Sequence, residues 1–160
     1  MLHITLICVG RLKEEYFTAA VAEYVKRLGT LCSLNIEEVP ETRLPANPNA
    51  AEVEAALSKE ADTIELRIPK NAVVVALSSE GKETDSVQFS KFIRACEKDG
   101  KNRLCFIIGG SVGLHKRIKN GARVILSMSK MTFPHHLFRV MFLEQLYRAF
   151  KIAAGAKYHK

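Results

Sequence analysis

Carboxylates almost vanish from the chain after residue 99. Residues 1–99 hold 12 Lys and Arg against 16 Asp and Glu, whereas residues 100–160 hold 12 against one, Glu144. The 160-residue chain therefore has a formal charge of +7 that is polarised along its length. A basic, acid-poor segment suits a polyanion, although a solvated basic face gives the same pattern. The single acid stands in an otherwise apolar helical run, VMFLEQLYRAF.

Other absences narrow the class. No window holds eighteen apolar residues, which excludes a transmembrane helix. The opening MLHITLICVGRLKEE has neither a basic n-region nor a small-residue cleavage site, so it reads as a first strand and not as a signal peptide. Cys8, Cys32, Cys96 and Cys105 lack CxxC spacing and sit in apolar runs. They read as small core hydrophobes in a reduced compartment, and the protein is expected in the cytoplasm. There is no internal repeat and no low-complexity stretch. RRM, KH and OB modules are absent, and 160 residues leave no room to append one.

What is present is an alternation of strands and helices. With 48% hydrophobic residues, the chain is expected to form one domain over 1–160. Residues 3–9 read as a strand ending at Gly10. Leu12, Tyr16, Ala20, Tyr24 and Leu28 recur at steps of four, with Phe17, Val21 and Val25 beside them, and predict an amphipathic helix capped by Gly29. A second strand over 33–39 stops at Pro40, and ETRLPANPNA reads as the one long loop. A helix bearing Val53, Leu57 and Ile64 follows. Then come a strand at 72–78 with a turn at Gly81, a helix over 85–98, and strands at 104–110 and 123–129. Pro134 opens a long helix to about Ala154, ended by Gly155. Near-continuous apolar strands separated by helices predict an α/β fold with a mostly parallel sheet covered on both faces.

Such sheets bind ligands where the strands end. Three exits are informative: Leu77-Ser78-Ser79, the glycine turn Gly109 to Gly113, and Met128 through Phe133. Gly109 and Gly110 are expected to allow positive φ and a close backbone approach by a ligand. GGSVG is neither the GxGxxG of dinucleotide sites nor a P-loop, and no acid about 20 residues on could hold a ribose.

Read together, IIGGSVGLHK, LSMSKMTFPHHLFRVMFLEQLYRAFKI and the terminal YHK closely resemble one family. They are similar to the RlmH-type SPOUT methyltransferases, which act on N3 of a pseudouridine in large-subunit ribosomal RNA. The opening ICVGRLKEEY and the EYVKRLG of the first helix extend the resemblance over essentially the whole chain. It implies a SPOUT fold with a C-terminal trefoil knot, which periodicity alone does not indicate. It further implies a homodimer through the C-terminal helix, S-adenosylmethionine as methyl donor without a metal, and a hairpin loop of 23S rRNA in the assembled ribosome as substrate. Neither DNA nor a membrane is an expected partner.

The donor contacts carried over by the resemblance are Leu77, Gly109, Met128, Ser129, Lys130, Met131, Thr132 and Phe133. Methylating a ring imide requires loss of its proton, so a base or cation nearby would help. The candidate catalytic residues are His135, beside the donor loop; Glu144 and Arg148, four apart on one helix face; and Tyr158 and His159 of the tail. His136 reads as structural. Without the resemblance, Tyr158-His159-Lys160 would read as a frayed end. No single general base is assigned. Lys116, Arg117, Lys119, Arg123, Lys130, Arg139 and Lys157 are the expected phosphate contacts. Two rival readings are a catalytically silent knotted ribosome- or RNA-binding protein, and a different α/β enzyme using the glycine turn for phosphate.

Overall fold

The computed structural model describes residues 1–159. Lys160, the last residue of the tail motif, lies outside the described residues. Five strands, β1 (His3–Val9), β2 (Ser33–Val39), β3 (Val73–Glu83), β4 (Arg103–Ile108) and β5 (Val124–Ser127), form one sheet in the order β2-β1-β4-β3-β5. Every pairing is parallel. Helices α1 (Glu15–Leu28), α3 (Ser86–Lys98) and α5 (His135–Ala153) cover one face. The other face is covered by α2 (Ala50–Arg67) and the short α4 (Lys116–Gly121). The α/β expectation holds, and the sheet is parallel throughout.

The strands are apolar on both sides because both sides are covered. Alternate residues of β1 serve different layers: Ile4, Leu6 and Cys8 join the core under α1, α3 and α5, while Ile7 and Val9 join the core under α2 and α4. Phe89, Phe106 and Phe142 meet in the first core, with the rings of Phe106 and Phe142 4.9 Å apart. Helix starts follow side-chain chemistry. Asn49 with Glu52, and Asp85 with Gln88, form reciprocal caps for α2 and α3.

The structure departs from the sequence reading in four places. The first helix starts at Glu15, so Leu12 precedes it, and Tyr16 is 68% exposed; a stripe at steps of four drifts around a 3.6-residue helix. Gly29 does end that helix, but with right-handed φ of −59°. Gly81 is not a turn: β3 continues through it to Glu83, with a register shift against β5 between Leu77 and Lys82. A side chain at Gly81 would lie 2.5 Å from the Ile125 carbonyl oxygen, so glycine here permits strand packing. Finally, α4 is an additional helix, too short for periodicity to reveal. No helix among the described residues is long and apolar enough to cross a membrane.

Candidate functional site

The ends of β4 and β5, with β3 at Leu77 to Ser79, bound a hollow of about 150 Å³. The expected exit at Leu77 is not the end of β3, which runs on to Glu83, but the point where its pairing with β4 stops. Its walls include Leu77, Gly109, Met128, Ser129, Met131, Thr132 and Phe133, with His135 and Phe138 from the first turns of α5. Seven of the eight expected donor contacts thus converge; Lys130 is exposed and does not line the hollow. The 128–133 loop is shaped from within. Ser127 Oγ donates to the Ser129 carbonyl at 2.8 Å, and Ser129 Oγ accepts from the Met131 N–H at 3.0 Å. Met131 stands at the lip, 74% exposed. Among the described residues no group of side chains could hold a metal ion.

The role of the two glycines differs from the expectation. Neither Gly109 nor Gly110 has a positive φ; in this turn that property belongs to Gly113, at +85°. Space is the constraint. A Cβ on Gly109 would lie 2.5 Å from the Gly113 carbonyl oxygen, and one on Gly110 would lie 2.6 Å from Glu41 Oε1. The turn closes on itself, with the Gly113 N–H donating to the Gly110 carbonyl at 3.1 Å. A substitution at Gly109 would therefore act by displacing the turn, not by filling the hollow.

Beyond the glycine turn lies a larger cleft of about 880 Å³, and His135 lines both spaces. The cleft is bounded by the exits of β1 and β2: Gly10, Arg11 and Lys13 on one side, Pro40 to Leu44 on the other. Glu41 was read only as part of a loop. Its Oε1 accepts from the Ser111 N–H at 2.8 Å and from Ser111 Oγ at 2.7 Å, and its Oε2 stands 3.6 Å from His135 Nε2. Burial opposes ionisation of Glu41, but the two Ser111 bonds and the neighbouring histidines outweigh it and hold the carboxyl below its ordinary value. His135 Nε2 is buried without a hydrogen-bond partner. Burial pushes this imidazole below its usual value, with only partial compensation from Glu41. His136 is held by Glu14 at 3.2 Å, in keeping with a structural part.

Arg139 corrects the expected phosphate set. It is 2% exposed, donating to Glu38 Oε2 at 2.7 Å and to the Gly10 carbonyl at 3.0 Å. A guanidinium so enclosed ties α5 to the exits of β1 and β2 and does not meet a phosphate. Arg117 and Lys119 are also engaged, Arg117 with Asp62 and Glu65 and Lys119 with Glu80. Lys116, Arg123, Lys130 and Lys157 are exposed and form no ion pair among the described residues.

The remaining catalytic candidates form a second cluster. Glu144 accepts from Arg148 at 2.8 and 3.0 Å, and from the Tyr158 hydroxyl at 3.3 Å. Arg148 lies over the Tyr158 ring, 4.7 Å from its centroid, and approaches His159 Nδ1 at 3.4 Å. Burial and then the Glu144 carboxylate raise the Tyr158 hydroxyl above its ordinary value, so it stays a proton donor. His135 and Glu144 are nine residues apart on α5, which is about 13 Å along the axis and roughly half a turn around it. Within one protomer, this tail cluster and the hollow face different directions.

Glu41 and Ser111 are the residues that sequence reasoning missed as site residues. The signal was available: Glu41 immediately follows Pro40 at the carboxyl edge of β2, and the strand-exit rule applies to every parallel strand.

The family model described as "Predicted SPOUT methyltransferase" matches residues 2–159. The chain is 45% identical over 159 residues to "Ribosomal RNA large subunit methyltransferase H" of Clostridium botulinum (strain Kyoto / Type A2), covering 99% of this chain and 100% of the relative. It is 47% identical, with the same coverage, to the protein of that name from Clostridium kluyveri (strain ATCC 8527). Among solved structures it is similar to a "Probable Methyltransferase from Bordetella pertussis Tohama I", with a TM-score of 0.59 and 17% identity, covering 93% of this chain and 95% of the other.

Proposed function

This chain belongs to the SPOUT methyltransferase family, and from that membership we propose that it methylates large-subunit ribosomal RNA with S-adenosylmethionine as donor. The acceptor in this reading is N3 of a pseudouridine in a 23S rRNA hairpin loop, met in the assembled ribosome in the cytoplasm. One observation carries the donor assignment. The exits of β4 and β5, with β3 at Leu77, give one hollow that sets the glycine turn at Gly109 and Gly110 beside apolar walls from Leu77, Met128, Met131 and Phe133, the combination of backbone and apolar surface that suits a nucleoside bearing an alkyl sulfonium. Bound there, the donor supplies an electrophilic methyl group.

The chain's own residues supply the rest. The cleft beside the hollow receives the acceptor, with Arg11, Lys13 and Arg43 along its wall available to phosphates. His135, at the partition between the two spaces, accepts the imide proton. Exposed Lys116, Arg123, Lys130 and Lys157 hold more distant phosphates and make affinity salt-dependent.

The protein acts as a homodimer of one-domain subunits. No residue of α5 is fully exposed, and Val140, Met141 and Tyr147 are left only half-buried. A partner docked on this helix brings its Glu144, Arg148, Tyr158 and His159 cluster to the first protomer's hollow, joining two halves that one chain keeps apart. In this arrangement the C-terminal knot of the fold gathers the ends of β4 and β5, with β3 at Leu77, around the donor.

The test is incubation with radiolabelled donor and ribosomes, or free rRNA, followed by nucleoside analysis. Label in N3-methylpseudouridine from ribosomes is expected. Donor binding with no transfer to either RNA would favour the silent RNA-binding reading instead.

A further inference from the structure

We propose that Glu41 is a positioning residue for methyl transfer, fixing the glycine turn with one carboxylate oxygen and setting the basicity of His135 with the other. The inference rests on the function proposed above, and no sequence motif drew attention to this residue.

The placement of the carboxylate depends on two glycines from different strand exits. A Cβ on Gly110 would lie 2.6 Å from Glu41 Oε1. A Cβ on Gly10 would lie 3.3 Å from both Glu41 Oε2 and His135 Nε2. A side chain at Gly110 would push the carboxylate aside, and one at Gly10, where φ is +96°, would press on both the carboxylate and the imidazole. Oε1 is saturated by the Ser111 N–H and hydroxyl. Oε2 has no hydrogen bond among the described residues, and it faces His135 Nε2 at 3.6 Å, itself buried and unpartnered. Two groups with unused capacity thus face each other at the partition between the donor hollow and the acceptor cleft. A buried unsatisfied nitrogen in such a place calls for a chemical explanation.

The surroundings define its state. His135 is faced by Glu41 from the segment after β2, Glu14 from the segment before α1, and His136 and Arg139 on its own helix. Arg11, Lys13 and Arg43 line the adjoining cleft. Burial, His136 and Arg139 disfavour the imidazolium, so at neutral pH the ring carries a free lone pair. Glu41 is the main group working the other way, and it keeps that lone pair basic enough to use. In the reaction the imide N3–H bond breaks and its proton passes to the His135 ring, which lines both spaces. The N3 electron pair forms the bond to the methyl carbon as the carbon–sulfur bond breaks, leaving its pair on sulfur. The new imidazolium is neutralised by Oε2 and later releases its proton to solvent.

The experiment compares the full-length parent, Glu41→Gln and Glu41→Asp. Single-turnover methylation of ribosomes is measured from pH 5 to 9 at saturating donor, and His135 is titrated by NMR in the free proteins. Gln keeps the size and can still accept from Ser111, so donor affinity should stay within about threefold by calorimetry. The plateau rate of Glu41→Gln should fall by roughly 10- to 100-fold. Its acid limb and the NMR titration of His135 should both move to lower pH, and Asp should restore part of each. A rate reduced equally at every pH, with an unmoved His135 titration, would make Glu41 a brace for the turn only. Parental rate and profile in Glu41→Gln would overturn the inference outright. If the parent itself methylates nothing, the function proposed above fails, and an unchanged His135 titration would then overturn the Glu41 inference independently.

Discussion

Replacing Gly109 by alanine should weaken donor binding by moving backbone, and the structure gives the size of the movement. The added Cβ would lie 2.5 Å from the Gly113 carbonyl oxygen and 2.6 Å from its carbon. An ordinary contact needs about 3.4 Å, so the turn must open by most of an ångström; overpacking of this kind costs roughly 1–3 kcal/mol. No flexible side chain can yield, because the opposing atoms are backbone. The turn is also tied shut between Gly110 and Gly113 and anchored to Glu41 through Ser111. In a chain of this size the cost corresponds to a fall of about 3–10 °C in Tm. Donor affinity should drop at least about tenfold, equivalent to about 1.4 kcal/mol.

Gly100→Ala is the control, because Gly113 itself lines the hollow. The φ of Gly100 is +71° and nothing lies within 4 Å of a Cβ there, so the cost is left-handed strain of about 1–2 kcal/mol with the turn in place. Donor affinity should then stay within about threefold. Scanning calorimetry and titration with the donor decide the matter. Parental Tm and affinity in Gly109→Ala, or an equal loss of affinity in Gly100→Ala, would refute the reasoning.

Three other outcomes are expected. Deleting Tyr158 to Lys160 should lower Tm by no more than about 3 °C, because, of the two described residues, Tyr158 makes part-buried contacts and His159 an exposed one; donor binding should persist while methyl transfer falls over about 100-fold, and sedimentation should still show a dimer. Arg139→Ala should cost about 2–4 kcal/mol by urea unfolding, since it strips Glu38 of its partner and frees the Gly10 carbonyl. Burial pushes the Cys8 and Cys105 thiols up to about 12 and Cys32 up to about 11, with Cys96 raised as well; at pH 8 all four stay protonated, so a thiol reagent should label the native protein hardly at all and the urea-unfolded chain fully.

The strand order of events along the chain was legible because apolar runs such as AVVVALS and LCFIIGG have only one use in a protein of this size. The hollow proposed for the donor was legible in part, since the exits of β4 and β5 carry most of its walls and the resemblance covers the same residues, while Leu77 lies inside a strand that runs on to Glu83. Periodicity could not show that β3 runs on through Gly81, because the reason is a carbonyl on another strand. Nor could charge counting distinguish Arg139 from Lys130. Both are cations near the donor loop, but one is enclosed by Glu38 and Gly10 while the other is exposed. Glu41 could be placed at a strand exit, but not matched to its partners, which are 70 and 94 residues further on, at Ser111 and His135.

The insertion of β4 between β1 and β3 has a kinetic consequence. β1 and β2 emerge first during synthesis and can pair at once, but β3 has no place beside them. His3 must wait for Arg103, and Val73 for Leu104. The sheet therefore cannot close until about two-thirds of the chain is made, and each non-local pairing pays a loop-closure entropy before any contact rewards it. Until then the apolar edge of β3 stands open to other nascent chains. The surplus of carboxylates in residues 1–99 gives this waiting stretch a like-charge repulsion that keeps copies apart. When the basic remainder arrives it meets those same acids, Arg139 at Glu38, Arg117 at Asp62 and Lys119 at Glu80, so acids that repel other copies while the chain is incomplete become partners within it when it is finished.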